Sequence, residues 1–176
     1  MIRIFENSRE LALGAAEHFV ELAQKDFFTV ALSGGSTPKV LYQVLAEEFR
    51  EQVPWSNTHF FWSDERHVPP DHPDSNYRMA HEALLSRVPV PESNVHRVHG
   101  ENPSAQKAAD EYEKIIVPRL DLILLGLGAD GHTASIFPGS EVLHETKRLI
   151  AAPWVEKLNA YRITMTLPLL NNGASI

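Results

Sequence analysis

The chain has 176 residues, 43% hydrophobic and 22% charged, a balance that suits a folded globular protein and argues against wholesale disorder. Sixteen Lys and Arg stand against 23 Asp and Glu, a formal charge of −7. That excess disfavours a protein built to grip the phosphate backbone of nucleic acid, yet leaves room for a small phosphorylated molecule in a local positive pocket. Without any cysteine, disulfides, thiolate catalysis and zinc–thiolate sites fall together, and the composition fits a reducing cytosol.

At the N-terminus the pattern predicts a strand over 2–5 and then a helix over 11–24, with Leu11, Ala15, Phe19 and Leu22 on one face and Asn7 or Ser8 as N-cap. Glu6, Glu10, Glu17 and Glu21 interrupt this region, which therefore does not read as a signal peptide. No apolar run is as long as a membrane-spanning helix, so a soluble, cytoplasmic protein without a membrane partner is expected. Further strands are predicted over 27–32, 58–62, 120–125, 149–152 and 162–167, and helices over 38–49, 77–87 and 104–116. Strands alternating with helices predict one α/β domain, with a mainly parallel sheet and helices on both faces. The proline-rich passages at 68–73 and 88–91 read as ordered loops, and no linker divides residues 1–176.

Ligands of such sheets bind past the carboxyl ends of the strands. Three segments there carry polar residues or glycine: SGGSTP from Ser33, SDERHVP from Ser63 and GLGADGHTASIFPG from Gly126. In the first, Gly34 and Gly35 allow close backbone approach to an anion, and Ser36 and Thr37 offer hydroxyls. Pro38 suits the first turn of a helix whose N-terminus favours negative charge. A plain capped turn uses the same residues. The Walker spacing is absent, so a nucleoside triphosphate is not indicated. In the second segment Asp64, Glu65, Arg66 and His67 can orient hydroxyls, Arg66 meeting a carbonyl or phosphate oxygen; a solvated charged loop is the plain alternative. The scattered histidines make no persuasive ligand set, so no metal is expected.

The third segment contains a decoy. Gly126, Gly128 and Gly131 satisfy the dinucleotide spacing, but Pro138 and Gly139 interrupt the long helix that the fingerprint requires, and no acidic residue follows at the ribose position. What remains is a glycine-rich turn presenting Asp130 and His132. Imidazole titrates near neutrality and can take a proton from water, and an adjacent carboxylate can orient the ring. A structural histidine and a local Asp turn remain alternatives. No G-x-S-x-G elbow is present, which disfavours a serine hydrolase.

In their order and spacing, LSGGSTPKVLY, WSDERHVPPDHPDSNYRMAHEALL, GLGADGHTASIFPGS and RITMTLPLLNN resemble the blocks of the 6-phosphogluconolactonase family over nearly the whole chain. The resemblance implies the Rossmann-like α/β fold shared with glucosamine-6-phosphate deaminases and ribose-5-phosphate isomerases. It implies hydrolysis of 6-phosphogluconolactone to 6-phosphogluconate in the pentose phosphate pathway, with no cofactor. By the same resemblance His132 is the general base, Gly34, Gly35, Ser36 and Thr37 form the phosphate-side loop, Arg66 lies at the substrate pocket and Arg162 near the phosphate. Asp64 and Asp130 are the acidic residues of the two motifs, and the oxyanion donor is Arg66 or a backbone N–H. The implied partner is a small phosphorylated sugar lactone, taken by a monomer or small homo-oligomer.

Two other readings have distinguishing marks. A deaminase block would carry a later Glu that DGHTASIFP lacks, and a non-catalytic sugar-phosphate-binding regulator would bind without turnover. LPLLNNGASI ends where the family pattern continues with a strand, a glycine–lysine segment and closing helices, so a C-terminal part is expected to be missing.

Overall fold

The computed structural model describes residues 2–176. In chain order the elements are α1 (Ser8–Ala23), β1 (Phe28–Leu32), α2 (Ser36–Glu48), β2 (Thr58–Trp62), β3 (Asp64–Arg66), α3 (Asn76–Ala83), α4 (Ala105–Ile115), β4 (Leu122–Ile123), β5 (Ile150–Ala151), β6 (Trp154–Val155), β7 (Ala160–Met165) and α5 (Leu167–Leu170). Three strands form a parallel sheet in the order β2-β1-β4, with β1 and β2 in register from Phe28↔Thr58 to Leu32↔Trp62. Successive side chains on a strand point to opposite faces, and every residue of β1 is buried, so both faces are covered. Phe19, Phe60, Trp62, Leu45 and Ile123 are among the fully buried side chains of this core. No helix among the described residues is long and apolar enough to cross a membrane.

A second, antiparallel sheet runs β3-β7-β5, with β6 paired to β7 as a hairpin. Ser63 joins the two sheets: its N–H donates to the Leu32 carbonyl at 2.9 Å, and its own carbonyl accepts from Met165 N at 2.8 Å.

Two buried tyrosines fix the strand ends from which the loops leave. The Tyr42 hydroxyl of α2 accepts from Ser33 N (2.9 Å) and donates to the Ser33 carbonyl (2.8 Å). Tyr112 of α4 brackets Trp62 in the same way, accepting from its N–H at 2.7 Å and donating to its carbonyl at 3.2 Å. Each phenol satisfies backbone groups that the sheet no longer pairs. The glycine loop and the Asp64 strand therefore start from anchored positions.

The strands at 58–62 and 149–152 and all four long helices form close to where the pattern predicts them, and Asn7 caps α1 through its side chain. Four elements differ. The strand expected over 120–125 is reduced to the two residues of β4, Leu122–Ile123. Residues 2–5 do not pair as a strand; Ile2 and Ile4 are exposed, and the Phe5 ring lies against Gly14 of α1, leaving no room for a side chain there. Residues 64–66, expected as a loop, form β3, because β7 offers a partner and Asp64 and Glu65 find internal hydrogen bonds. The strand expected over 162–167 spans Ala160–Met165 instead, and Leu167–Leu170 turns into α5, where Pro168 suits a first helical turn.

Candidate active site

A cavity of about 570 Å3 opens at the carboxyl ends of β1 and β4. It brings together Ser33, Gly34, Gly35, Ser36, Thr37, Asp64, Arg66 and His132, so all three sequence segments meet at one place. Asp130 and Arg162 stand behind this wall, each beside a residue that lines it.

On the first side, Gly35 at the N-cap of α2 has a φ of 111°, a conformation that L side chains rarely adopt. No side chain caps this helix, so its first N–H groups and the positive end of its dipole face the cavity unopposed. Gly34 has a different constraint. A Cβ there would overlap the Asn76 side chain, which is buried against the loop.

The floor is β3 with the start of α3. Asn76 Nδ2 donates to the Asp64 carbonyl at 3.0 Å and to its Oδ1 at 3.2 Å, while Ser135 Oγ donates to Oδ2 at 2.7 Å. Burial raises the Asp64 carboxyl above the usual range, opposed by the Ser135 hydrogen bond and by the charges of Arg66, Arg162 and His132. Glu65 points the other way and caps α3, accepting from Asn76 N (2.8 Å), Tyr77 N (2.8 Å), Ser75 Oγ (3.1 Å) and Arg66 N (2.7 Å). Its carboxyl is also raised by burial, against those backbone donors.

Arg66 and Arg162 face each other across β3 and β7 in register. Like charges directly opposite on antiparallel strands repel. Burial and then Arg66 lower the Arg162 guanidinium from its ordinary value. Arg66 donates from one terminal nitrogen to the Asp74 carbonyl at 2.5 Å, and its buried Nε has no partner. Two guanidiniums held side by side form a site suited to an anion.

On the opposite wall the 126–139 loop folds on itself. Gly128 N donates to the His132 carbonyl at 2.8 Å, and Gly131 turns the chain at φ 84°. Only glycine fits at 128, since a Cβ would overlap the imidazole ring. Asp130 Oδ1 lies 2.5 Å from His132 Nδ1 and accepts from His132 N at 3.3 Å. Its other oxygen meets Lys157 Nζ. Lys157 and then His132 hold the Asp130 carboxyl well below the usual carboxylate range. An ionised carboxylate only accepts, so Nδ1 carries a proton, and in the neutral imidazole the lone pair is then on Nε2. The His132 ring stacks on Phe137 with centroids 4.2 Å apart. The loop's far end is tied down by Ser135, whose N–H donates to Thr164 Oγ1 at 3.1 Å and whose hydroxyl holds Asp64. Beyond Pro138 comes only the short helical turn Glu141–His144, so no long helix stands behind the glycines to receive a pyrophosphate.

Asn76, Ser135, Lys157 and Phe137 were not among the residues singled out from sequence. Only Asn76 carried a local signal: with Ser75 it follows a proline-rich loop, as a helix cap does.

A family model described as glucosamine-6-phosphate isomerases/6-phosphogluconolactonase matches residues 6–176. A rice protein named a probable chloroplastic 6-phosphogluconolactonase is 40% identical over an alignment 200 positions long that covers 98% of this chain and 59% of the rice protein. A Nostoc protein named 6-phosphogluconolactonase is 41% identical over an alignment 179 positions long that covers 96% of this chain and 72% of the Nostoc protein. Among solved structures, the 6-phosphogluconolactonase of Trypanosoma brucei matches with a TM-score of 0.86 at 32% identity, covering 98% of this chain and 76% of that one. The chain thus spans about three-fifths of the rice relative. With the match to the family model running from the cap of α1 to the last residue, the chain belongs to the glucosamine-6-phosphate isomerase/6-phosphogluconolactonase family.

Proposed function

We propose that residues 1–176 are a sugar-phosphate lactonase domain that hydrolyses 6-phospho-D-glucono-1,5-lactone to 6-phosphogluconate. The observation that carries this reading is the Asp130–His132 pair: with Nδ1 held at 2.5 Å, Nε2 is the free base at the cavity wall. His132 takes a proton from water as the water oxygen attacks the lactone carbonyl carbon. Negative charge develops on the carbonyl oxygen, and Arg66 is the charged donor assigned to it. The bond from that carbon to the ring oxygen then breaks, the ring oxygen takes the proton from the imidazolium, and the product acid ionises. A lactone is already electrophilic, so a base and a donor suffice.

Phosphate recognition is assigned to Gly34, Gly35, Ser36 and Thr37 at the uncapped start of α2, with Arg162 across from Arg66. Asp64 sets the floor between these two halves. Binding energy from the remote phosphate would orient the ring for attack.

The test uses freshly made lactone, with product read through 6-phosphogluconate dehydrogenase against the spontaneous rate. Wild-type protein should accelerate hydrolysis, and His132→Ala should lose about 10²- to 10⁴-fold in kcat while remaining folded. Protein that binds the sugar phosphate without accelerating hydrolysis would overturn the reading. Full activity in His132→Ala would leave the substrate and remove the assigned base.

A further inference from the structure

An orienting carboxylate works by staying ionised and by holding one rotamer, and burial usually secures the second requirement. Here burial does not. The Asp130 side chain is 38% exposed and His132 is 30% exposed, both on a glycine-rich loop. Something outside the loop must fix them. The β6–β7 hairpin crosses to this point and delivers Lys157 from its turn, Glu156–Leu158, which closes through Asn159 in the left-handed region.

Lys157 engages both groups that touch the imidazole. Its ammonium meets Asp130 Oδ2, the oxygen that His132 does not use. It also sits 4.3 Å above the Phe137 ring centroid, the ring that stacks on His132. The ring is thus held at its Nδ1 edge and on one face by two partners that share a single cation. Lys157 does not line the cavity and is half exposed, so it acts through Asp130 and Phe137 rather than on substrate.

We infer that Lys157 is a positioning residue that clamps Asp130 and Phe137 around His132 and so keeps the imidazole in its Nδ1–H form with Nε2 free. This rests on His132 being the base in the proposed reaction, and it adds a third member supplied by a separate hairpin. The charged groups facing His132 are Asp130 from its own loop, Lys157 from the hairpin, and Asp64 and Arg66 from β3. With the lysine gone, Asp130 and Phe137 lose the cation they share, Asp130 is free to turn away from Nδ1, and the imidazole samples both tautomers.

The experiment compares wild type with Lys157→Met and Lys157→Arg. Lys157→Met should lower kcat by about tenfold and leave KM within about twofold, whereas Lys157→Arg should restore most of kcat. Long-range 1H–15N NMR of the imidazole reads the tautomer without any substrate. Wild type should give the Nδ1–H form and Lys157→Met a mixture, so the inference stands or falls even if the lactone proves to be the wrong substrate. Should Lys157→Met not fold, Lys157→Gln replaces it, and the wild-type tautomer remains decisive. An Nε2–H tautomer in wild type, or a Lys157→Met variant with unchanged kcat and tautomer, would overturn the inference.

Discussion

The floor of the cavity and its catalytic wall hold carboxylates by opposite means. At the floor, Asp64 and Glu65 are buried; Asp64 accepts from Asn76 and from Ser135 of the 126–139 loop, and Glu65 from Arg66 and the start of α3. Desolvation dominates there and pushes both carboxyls upward. On the wall, Asp130 is exposed, and one lysine with one histidine holds it ionised. A buried acid braces a backbone that must not move, at a continuing electrostatic cost. An exposed acid can be fixed without that cost, but only as firmly as its ion pair and the stacked ring allow.

The contrast predicts where substitutions are costly. Glu65→Ala should give the largest loss of stability, because four donors, from Arg66, Ser75, Asn76 and Tyr77, lose their acceptor together. We expect at least about 3 kcal/mol, read from urea unfolding. A loss below about 1 kcal/mol would show that water replaces the carboxylate and that the floor is not closed. Gly128→Ala tests the wall. A methyl group there overlaps the His132 ring and must turn it away from Asp130. Stability should change by less than about 1 kcal/mol on this solvated loop, while kcat falls about tenfold or more. Activity retained in that variant would mean that this ring position is not the working one.

Much of this arrangement is legible along the chain. The largely apolar β1, the paired glycines after it and the Asp130–His132 spacing are local signals, each read within a few residues. What escapes is long-range. Ser135 reaches Asp64 across 71 positions and Lys157 reaches Asp130 across 27, and nothing near either residue announces its partner. β3 escapes for a related reason: Asp-Glu-Arg reads as a solvated loop until β7 is known to lie beside it, and the same pairing sets Arg66 against Arg162. Ile2 and Ile4 show the converse, a strand-like alternation with no neighbouring strand to complete it.

The smallest expected effect separates floor from wall by pH. Asp64 has a raised carboxyl, so its contribution to stability is complete below the unfolded value of 3.8 and is lost as pH rises through the higher folded value. Asp130 is depressed, so its contribution is present above 3.8 and is lost as pH falls through the lower folded value. Asp64→Asn keeps the hydrogen bonds, since an amide oxygen can still accept from Asn76 and the Ser135 hydroxyl can accept as well as donate. Its unfolding midpoint near pH 4 should therefore lie close to wild type, while the decline at higher pH becomes shallower. Asp130→Asn should leave that decline unaltered and flatten only the most acidic end. Urea midpoints across the pH range distinguish the two. Equal slopes in wild type and Asp64→Asn would mean that the floor carboxyl is not raised by burial, and floor and wall would then hold their acids by the same means after all.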